Sequence, residues 1–371
     1  VEPDRPQRID RLTPLADVLS RLDAVVEPVA PRSAGLSAAR GRVLAEDVVV
    51  ASPIPPAARA LRDGWAVSSD LTTDASGYAP APLPSALRLD TGEPLPNDAD
   101  AIAPLDAVAI RDGAAHALAP VSPGEGVLPA AADGAPGATF LPAGRRLGGV
   151  EIALLAAAGV AAVSMRAPRL RLVRAEPHGD AVIDAAIGYL ADAIECQGGV
   201  AVIAAQRGVA DALAAADVDA IIVVGGTGSG RRDVTVRTLA SVGAVLVHGV
   251  AFLPGETTAL GTVGARPVLA VPGRLDAALA AWHMLGRAML ARLAGSRETP
   301  PMRTASLTHK LTSPVGLAEL VPVRCDGRSA TPIASGYVPL AALAQANGWV
   351  LVGADSEGYP AQSEVVIRPW P

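Results

Sequence analysis

The sequence predicts a multidomain α/β plus β protein organised around a doubly wound, mostly parallel sheet. Three observations carry that expectation. From Leu170 onward, short β-branched runs alternate with helical patterns, as right-handed βαβ units do. Residues 50–122 are instead rich in Pro, Gly and Asp, with short apolar pairs such as Ala66-Val67 and Ala117-Leu118. Short strands at turn-rich spacing imply a small β domain. From about residue 301 strand-like runs return, which implies a mostly β C-terminal part.

The elements follow in order. Thr13-Pro14 reads as a helix start, Thr13 as N-cap and Pro14 at the first helical position. Leu15, Val18, Leu19, Leu22, Val25 and Val26 then form one apolar stripe. A second short helix is expected over 37–43, and Val48-Val49-Val50 leads into the proline-rich SPIPPAARA. A helix over 149–158 stops at Gly159, and Pro168 marks the next boundary. Strand-like LRLV (170–173) precedes a helix at about 181–197, and VAVIA (200–204) one at about 207–216. AIIVV (220–224) precedes a helix at about 232–242. AVLVHG (244–249) leads into a hairpin-like excursion, then PVLAV (267–271) and a long helix at about 275–294. The tail carries one helical series, YVPLAALAQAN.

Composition narrows the function classes. A chain of 371 residues normally divides into two to four domains. Half the residues are apolar and only 3% aromatic, so the cores rely on Ala, Val and Leu. Lys310 is the single lysine among 31 basic residues, which reflects coding bias more than function. A net charge of −6 provides no basic field for nucleic acid. Cys196 and Cys325 are far apart without metal-ligand spacing, which suits free thiols in a reducing compartment. No apolar run is long enough for a membrane span, and the polar start VEPDRPQRIDR lacks an apolar signal core. A cytoplasmic protein is expected.

The stretch DAIIVVGGTGSGRRD (219–233) is the candidate site. A β-branched run followed by glycines suits a buried strand whose end lets a ligand approach the backbone. A helix starting near Arg232 would aim its free N–H groups at an anion there, where open α/β sheets place ligands. The glycines fit neither the Walker pattern nor the dinucleotide fingerprint. A tight βα turn without any ligand is the competing reading.

Read together, several motifs resemble the molybdopterin molybdenumtransferase family, the MoeA type that includes the C-terminal domain of gephyrin. They are GRVLAEDV (41–48), RDGWAV (62–67), TGEPLPNDADAI (91–102), LPAGRRLGGVEIALLAAAGV (141–160), GGTGSGRRD (225–233), FLPGET (252–257), AVPGRLDA (270–277) and AQANGWVLV (344–352). They occur in the family's order over nearly the whole chain. The resemblance implies insertion of molybdate into adenylylated molybdopterin with release of AMP, assisted by Mg²⁺. It implies four parts: a discontinuous helical and extended domain (10–45 and 123–168), an inserted β domain (46–122), a molybdopterin-binding α/β domain (169–300) and a C-terminal β domain (301–371). It also implies a homodimer whose cleft lies between subunits, with a molybdoenzyme or an upstream adenylyltransferase as further partner.

Four residues are assigned catalytic roles by that resemblance. Asp63 stands at the family's catalytic aspartate, although Asp-Gly is also ordinary turn chemistry. Thr91 matches a ligand-contacting threonine, although Thr-Gly before a Pro-rich loop is also ordinary turn chemistry. Asp133 falls at an acidic position whose neighbouring arginines are missing here, and a surface turn is the competing reading. Asp233 is the best-placed carboxylate for a metal or phosphate, and its structural alternative is stabilising a helix N-terminus. Gly225, Gly226, Thr227, Gly228, Ser229, Gly230 and Arg231, with Pro272, Gly273 and Arg274, are the expected ligand-binding residues.

Departures from the family pattern are equally informative. Its TGDEL turn is absent, with Glu176 nearby; its Asp-Ser-Asn becomes Asp184-Ala185-Ala186. The lysines of KPGKP become Leu253 and Glu256, and the Gly-Arg of the last domain becomes Gly316-Leu317. Replacing lysine by glutamate turns attraction for an anion into repulsion, worth about 1–3 kcal/mol when partly desolvated. Arg231, Arg232 and Arg274 are added. Either they replace the lost lysines as oxyanion clamps, or they are solvated charge beside a decayed pocket. Two functions therefore stand: a divergent molybdenumtransferase, or a degenerate relative that binds molybdopterin or finished cofactor, or serves as a scaffold. The five histidines, His116, His178, His248, His283 and His309, show no metal spacing and read as structural or surface residues.

Overall fold

In this computed structural model the described residues are 7–176, 180–204 and 208–370. His178 lies outside them. The chain separates into two compact units, one of Val1–Glu46 with Ala143–Pro371 and the other of Asp47–Pro142.

The first unit contains a six-stranded sheet. Its strands are β1 (Arg169–Arg174), β2 (Val200–Ile203), β3 (Ala220–Val224), β4 (Ala244–His248), β5 (Ala259–Val263) and β6 (Arg266–Val271), in the order β2-β1-β3-β6-β5-β4. The first four in that order are parallel. β5 and β4 are antiparallel to their neighbours, so the excursion after 249 returns along the edge as the expected hairpin. β3 is buried on both faces, as its unbroken apolar run requires. Each of its isoleucines and valines contributes roughly 1.5–3 kcal/mol by burial.

Helix α1 (Ala181–Cys196) buries Ile183, Ala186, Ile187, Leu190, Ala193 and Ile194, one face at helical spacing. Asp180 caps it by accepting the Val182 N–H at 2.8 Å. Helices α2 (Val209–Ala214) and α3 (Thr235–Val242) are shorter than the pattern suggests. Chain direction reverses its lateral progress between β1 and β3, so the carboxyl ends of these strands form a topological switch point.

The N-terminal helix (Leu15–Val25) starts beyond Thr13 and has no side-chain cap. Thr13 instead uses its backbone in a bridge to Val250, donating to the Gly249 carbonyl. The expected helix over 37–43 shortens to Leu36–Ala39 because Val43–Leu44 pairs as a strand with Ala162–Arg166. The long helix over 275–294 forms, with a π-helical turn at Trp282–Gly286. C-terminal to it, strands Ala318–Asp326, Ser329–Pro332, Arg303–Leu307, Glu364–Pro369 and Gly348–Val352 pair in sequence. The last also pairs with the first, closing a small barrel and removing its free edges.

In the second unit, Gly64–Val67 lies between Leu87–Leu89 and Ala101–Ala103. A second sheet joins Ala81–Leu83, Ala114–Ala117 and Val108–Arg111. Val127–Leu128 pairs with Arg59–Ala60, and Thr139–Leu141 with Val48–Val49, so residues through 142 pack within this unit. Trp65 packs against its core beside Val67 and Ala103. Among the described residues no helix is long and apolar enough to cross a membrane.

Candidate functional site

The glycine loop emerges at the switch point. Gly225 and Gly226 have φ of +95° and +67°. A side chain at Gly226 would place its Cβ 2.4 Å from Thr235 Oγ1, so both conformation and space demand glycine there. Buried Thr235 fastens the loop to α3: its hydroxyl donates to the Gly225 carbonyl at 2.9 Å, and its N–H to the Gly226 carbonyl at 3.1 Å. The Gly225 N–H donates to the Val271 carbonyl at 2.8 Å.

The carbonyls of Gly226, Thr227 and Gly228 are also occupied. Gln7 Nε2 donates to Gly226 at 2.8 Å and to Gly228 at 2.6 Å. His248 Nε2 donates to the Thr227 carbonyl at 2.9 Å. Thr227 is buried, and its hydroxyl meets that of Thr257 at 2.9 Å. The amides behave differently. Among the described residues, none of the N–H groups of Gly226, Thr227, Gly228 and Ser229 has a hydrogen-bond partner. Carbonyls already satisfied and four successive donors still free leave backbone N–H groups available to oxyanion oxygens.

Asp233 accepts the Gly230 N–H at 2.7 Å, folding its carboxylate across the loop. Val234, without a side-chain bond, occupies the N-cap of α3. The expected helix start near Arg232 therefore gives way to a loop braced by Asp233. Pro272 and Gly273 lie beside this loop: a Cβ at Gly273 would sit 3.5 Å from Gly225 Cα, and Ile183 lies against both glycines.

Arg231 and Arg232 are exposed. Arg274 is engaged elsewhere, donating to buried Asp276 through Nε at 3.1 Å and Nη2 at 2.5 Å. Its guanidinium lies 4.9 Å from the centre of the Tyr337 ring. Hydrogen bonding to Asp276 raises the Arg274 pKa, outweighing burial, and the Asp276 and Glu256 charges add to it. Arg174 pairs with Asp184 in the first turn of α1.

Asp63 and Thr91 meet within the second unit. The register Gly64↔Leu89 places Asp63 beside the turn after Leu89. Its Oδ1 accepts both the Thr91 N–H and hydroxyl at 2.8 Å. The Thr91 backbone bond, then its hydroxyl bond, lowers the Asp63 pKa. Gly64 is needed for close packing, since a Cβ there would lie 2.3 Å from the Ala103 carbonyl oxygen. Asp133 is exposed on a separate turn, its N–H donating to the Ile54 carbonyl at 2.8 Å. Among the described residues no hydrogen bond joins it to the Asp63–Thr91 pair.

Gln7, His248 and Thr257 are loop partners that sequence reasoning misses. Only His248, at a strand end beside glycine, offers a local signal. Among the described residues no group of three or more His, Cys, Asp or Glu is arranged to hold a metal. Magnesium commonly takes one or two carboxylates together with substrate phosphates. Asp233 fits that limited part.

Residues 13–159 match the family model described as the MoeA N-terminal region (domain I and II), and residues 193–292 that of a probable molybdopterin binding domain. The chain is 29% identical over 393 aligned residues to molybdopterin molybdenumtransferase 2 of Mycobacterium tuberculosis, covering 91% of this chain and 94% of that one. Identity to the molybdopterin molybdenumtransferase of Haemophilus influenzae is 24% over 330 residues, 80% of this chain and 81% of the other. Among solved structures, a molybdopterin biosynthesis moeA protein from Pyrococcus horikoshii OT3 superposes with a TM-score of 0.81 at 22% identity, covering 97% of this chain and all of the other.

Proposed function

The chain belongs to the MoeA family, and from that premise we propose that it inserts molybdate into adenylylated molybdopterin with release of AMP. One observation of this chain carries the reading: the unpaired amide row over 226–229 at the carboxyl edge of the sheet. Such a row binds phosphate or molybdate oxygens without moving a side chain. Thr235, Gln7 and His248 hold the carbonyls away from the ligand, so the loop need not reorganise as charge develops.

In this reading Asp233 keeps the loop in its donor conformation and is the carboxylate available to a magnesium ion that accompanies the substrate phosphates. Asp63, ionised and hydrogen-bonded to Thr91, serves a homodimer cleft, and Asp133 contributes at that cleft by resemblance alone. We propose a four-domain division whose inserted β domain reaches Pro142, a homodimer, a molybdoenzyme or adenylyltransferase partner, and a cytoplasmic location.

The tie between Arg274 and Asp276 favours a second reading in one respect. A guanidinium already satisfied by a buried carboxylate is a poor substitute for a lost anion-binding lysine. A molybdopterin-binding or scaffold protein without turnover would be built this way. Molybdate-dependent AMP release from adenylylated molybdopterin separates the two. We expect release from the purified chain; tight molybdopterin binding with no release at high protein concentration would establish the second reading.

A further inference from the structure

A second site lies away from the glycine loop, where the π-turn of the long helix meets the C-terminal barrel. A cavity of about 490 Å³ opens there, lined by His283, Arg287, Trp349 and Arg368, with Leu290 and Met302 among its apolar walls. From these residues we propose that it binds a small phosphate monoester bearing an apolar or aromatic group. The assignment is independent of the function proposed for the glycine loop.

Charge is the first observation. Arg146, on the rim, is paired with Glu298 at 3.5 Å. Arg287 and Arg368 are both half-buried, and neither has a carboxylate partner among the described residues. Burial lowers the pKa of each, and their positive charges oppose one another at Arg287. The Arg368 guanidinium lies 5.1 Å from the centre of the Trp349 ring. In a chain of net charge −6, two uncompensated guanidiniums on one cavity specify a dianion.

The second observation is an orphaned polar atom. His283 is 8% exposed, and its Nε2 is 3.0 Å from the Tyr189 hydroxyl. Its Nδ1 is buried without a hydrogen-bond partner. Buried polar atoms are normally satisfied; this one is not, and it belongs to a ring whose residue lines the cavity. The ring is clamped between Trp370, stacked at 5.4 Å, and Trp349, tilted at 5.2 Å.

The third is the helix itself. The π-turn spans Trp282–Gly286, and a Cβ on Gly286 would lie 2.3 Å from the Trp282 ring. The indole therefore occupies the space that a tighter helix with a side chain at 286 would fill. His283 and Arg287 lie four residues apart across this turn and both line the cavity. π-turns inside α-helices frequently mark functional positions.

Calorimetric titration of the full chain with phenyl phosphate, inorganic phosphate and phenol tests the proposal. We expect saturable binding of phenyl phosphate, weaker binding of inorganic phosphate and none of phenol. Arg287→Gln with Arg368→Gln should weaken phenyl phosphate at least about tenfold, and His283→Phe should weaken it less. Unsaturable phenyl phosphate, or unchanged affinity in the double variant, overturns the site. Should the variants not fold, phenylglyoxal labelling of the unaltered chain decides the matter. Phenyl phosphate should protect Arg287 and Arg368 relative to the exposed Arg111 and Arg328; equal labelling with and without it overturns the assignment.

Discussion

Replacing Gly226 by alanine should damage the glycine loop through conformation and space together. A left-handed φ of +67° costs a residue with Cβ roughly 1–2 kcal/mol. The new methyl would also stand 2.4 Å from Thr235 Oγ1 and 3.1 Å from Ala175 Cβ, both in buried surroundings. Overpacking of that kind typically costs about 1–3 kcal/mol. Displacing Thr235 weakens its bond to the Gly225 carbonyl, about 1 kcal/mol more. Lower entropy of the unfolded chain offsets about 0.5–1 kcal/mol of this, so a net loss of about 2–5 kcal/mol is expected. Gly264 is the control in the same unit, with φ of +59° and nothing within 4 Å of the methyl that alanine would add. Gly264→Ala should cost about 1 kcal/mol or less. Urea denaturation of both variants and the parent measures the difference. Equal midpoints for the two variants would refute the packing of Gly226 against Thr235.

Three further outcomes follow from the same geometry. Burial, with a smaller contribution from the Arg287 charge, lowers the His283 pKa to about 3. The unfolded chain therefore binds a proton that the native state refuses, and stability should fall as pH drops from about 6.5 toward 3. The slope from this group is about 1.4 kcal/mol per pH unit; His283→Gln should flatten the pH dependence of the melting temperature in that window, and an unchanged profile would count against a buried neutral imidazole. Thr91→Val removes the hydroxyl donor to Asp63, so the carboxylate titration followed by NMR should move up toward its ordinary range; an unmoved midpoint would deny the bond. Asp276→Ala strands the Val338 N–H, otherwise bonded at 3.0 Å, and releases Arg274. Because the Arg274 side chain is 52% exposed, solvent screens most of that pairing, and a loss of about 1–3 kcal/mol by denaturant titration is expected, chiefly from the orphaned amide.

The sheet domain is legible in the sequence because its strands are short apolar runs and its helices carry one apolar face, as Ile183 to Ile194 show. Local pattern suggests a hairpin-like excursion after Ala244–His248 but cannot reveal the pairing that puts this strand at the sheet edge. Thr13 reads like a cap because nothing nearby in sequence announces its bridge to Val250. The Asp63–Thr91 contact follows from a strand register, which the Asp-Gly and Thr-Gly pairs suggest separately but cannot join. Arg274 is ambiguous in the sequence because its partner two residues later is a carboxylate whose burial only the fold reveals. Gln7 and the His283–Arg287–Arg368 cavity leave no sequence signal, since they bring together residues distant in the chain.

The free amides over 226–229 are the proposed oxyanion receptor, and a crystal of the full chain soaked in tungstate, a heavy mimic of molybdate, tests this directly. We expect density within hydrogen-bond distance of at least two of those amides, lost in Gly226→Ala. Tungstate ordered only at the Arg287–Arg368 cavity, with the loop amides facing solvent alone, would contradict it.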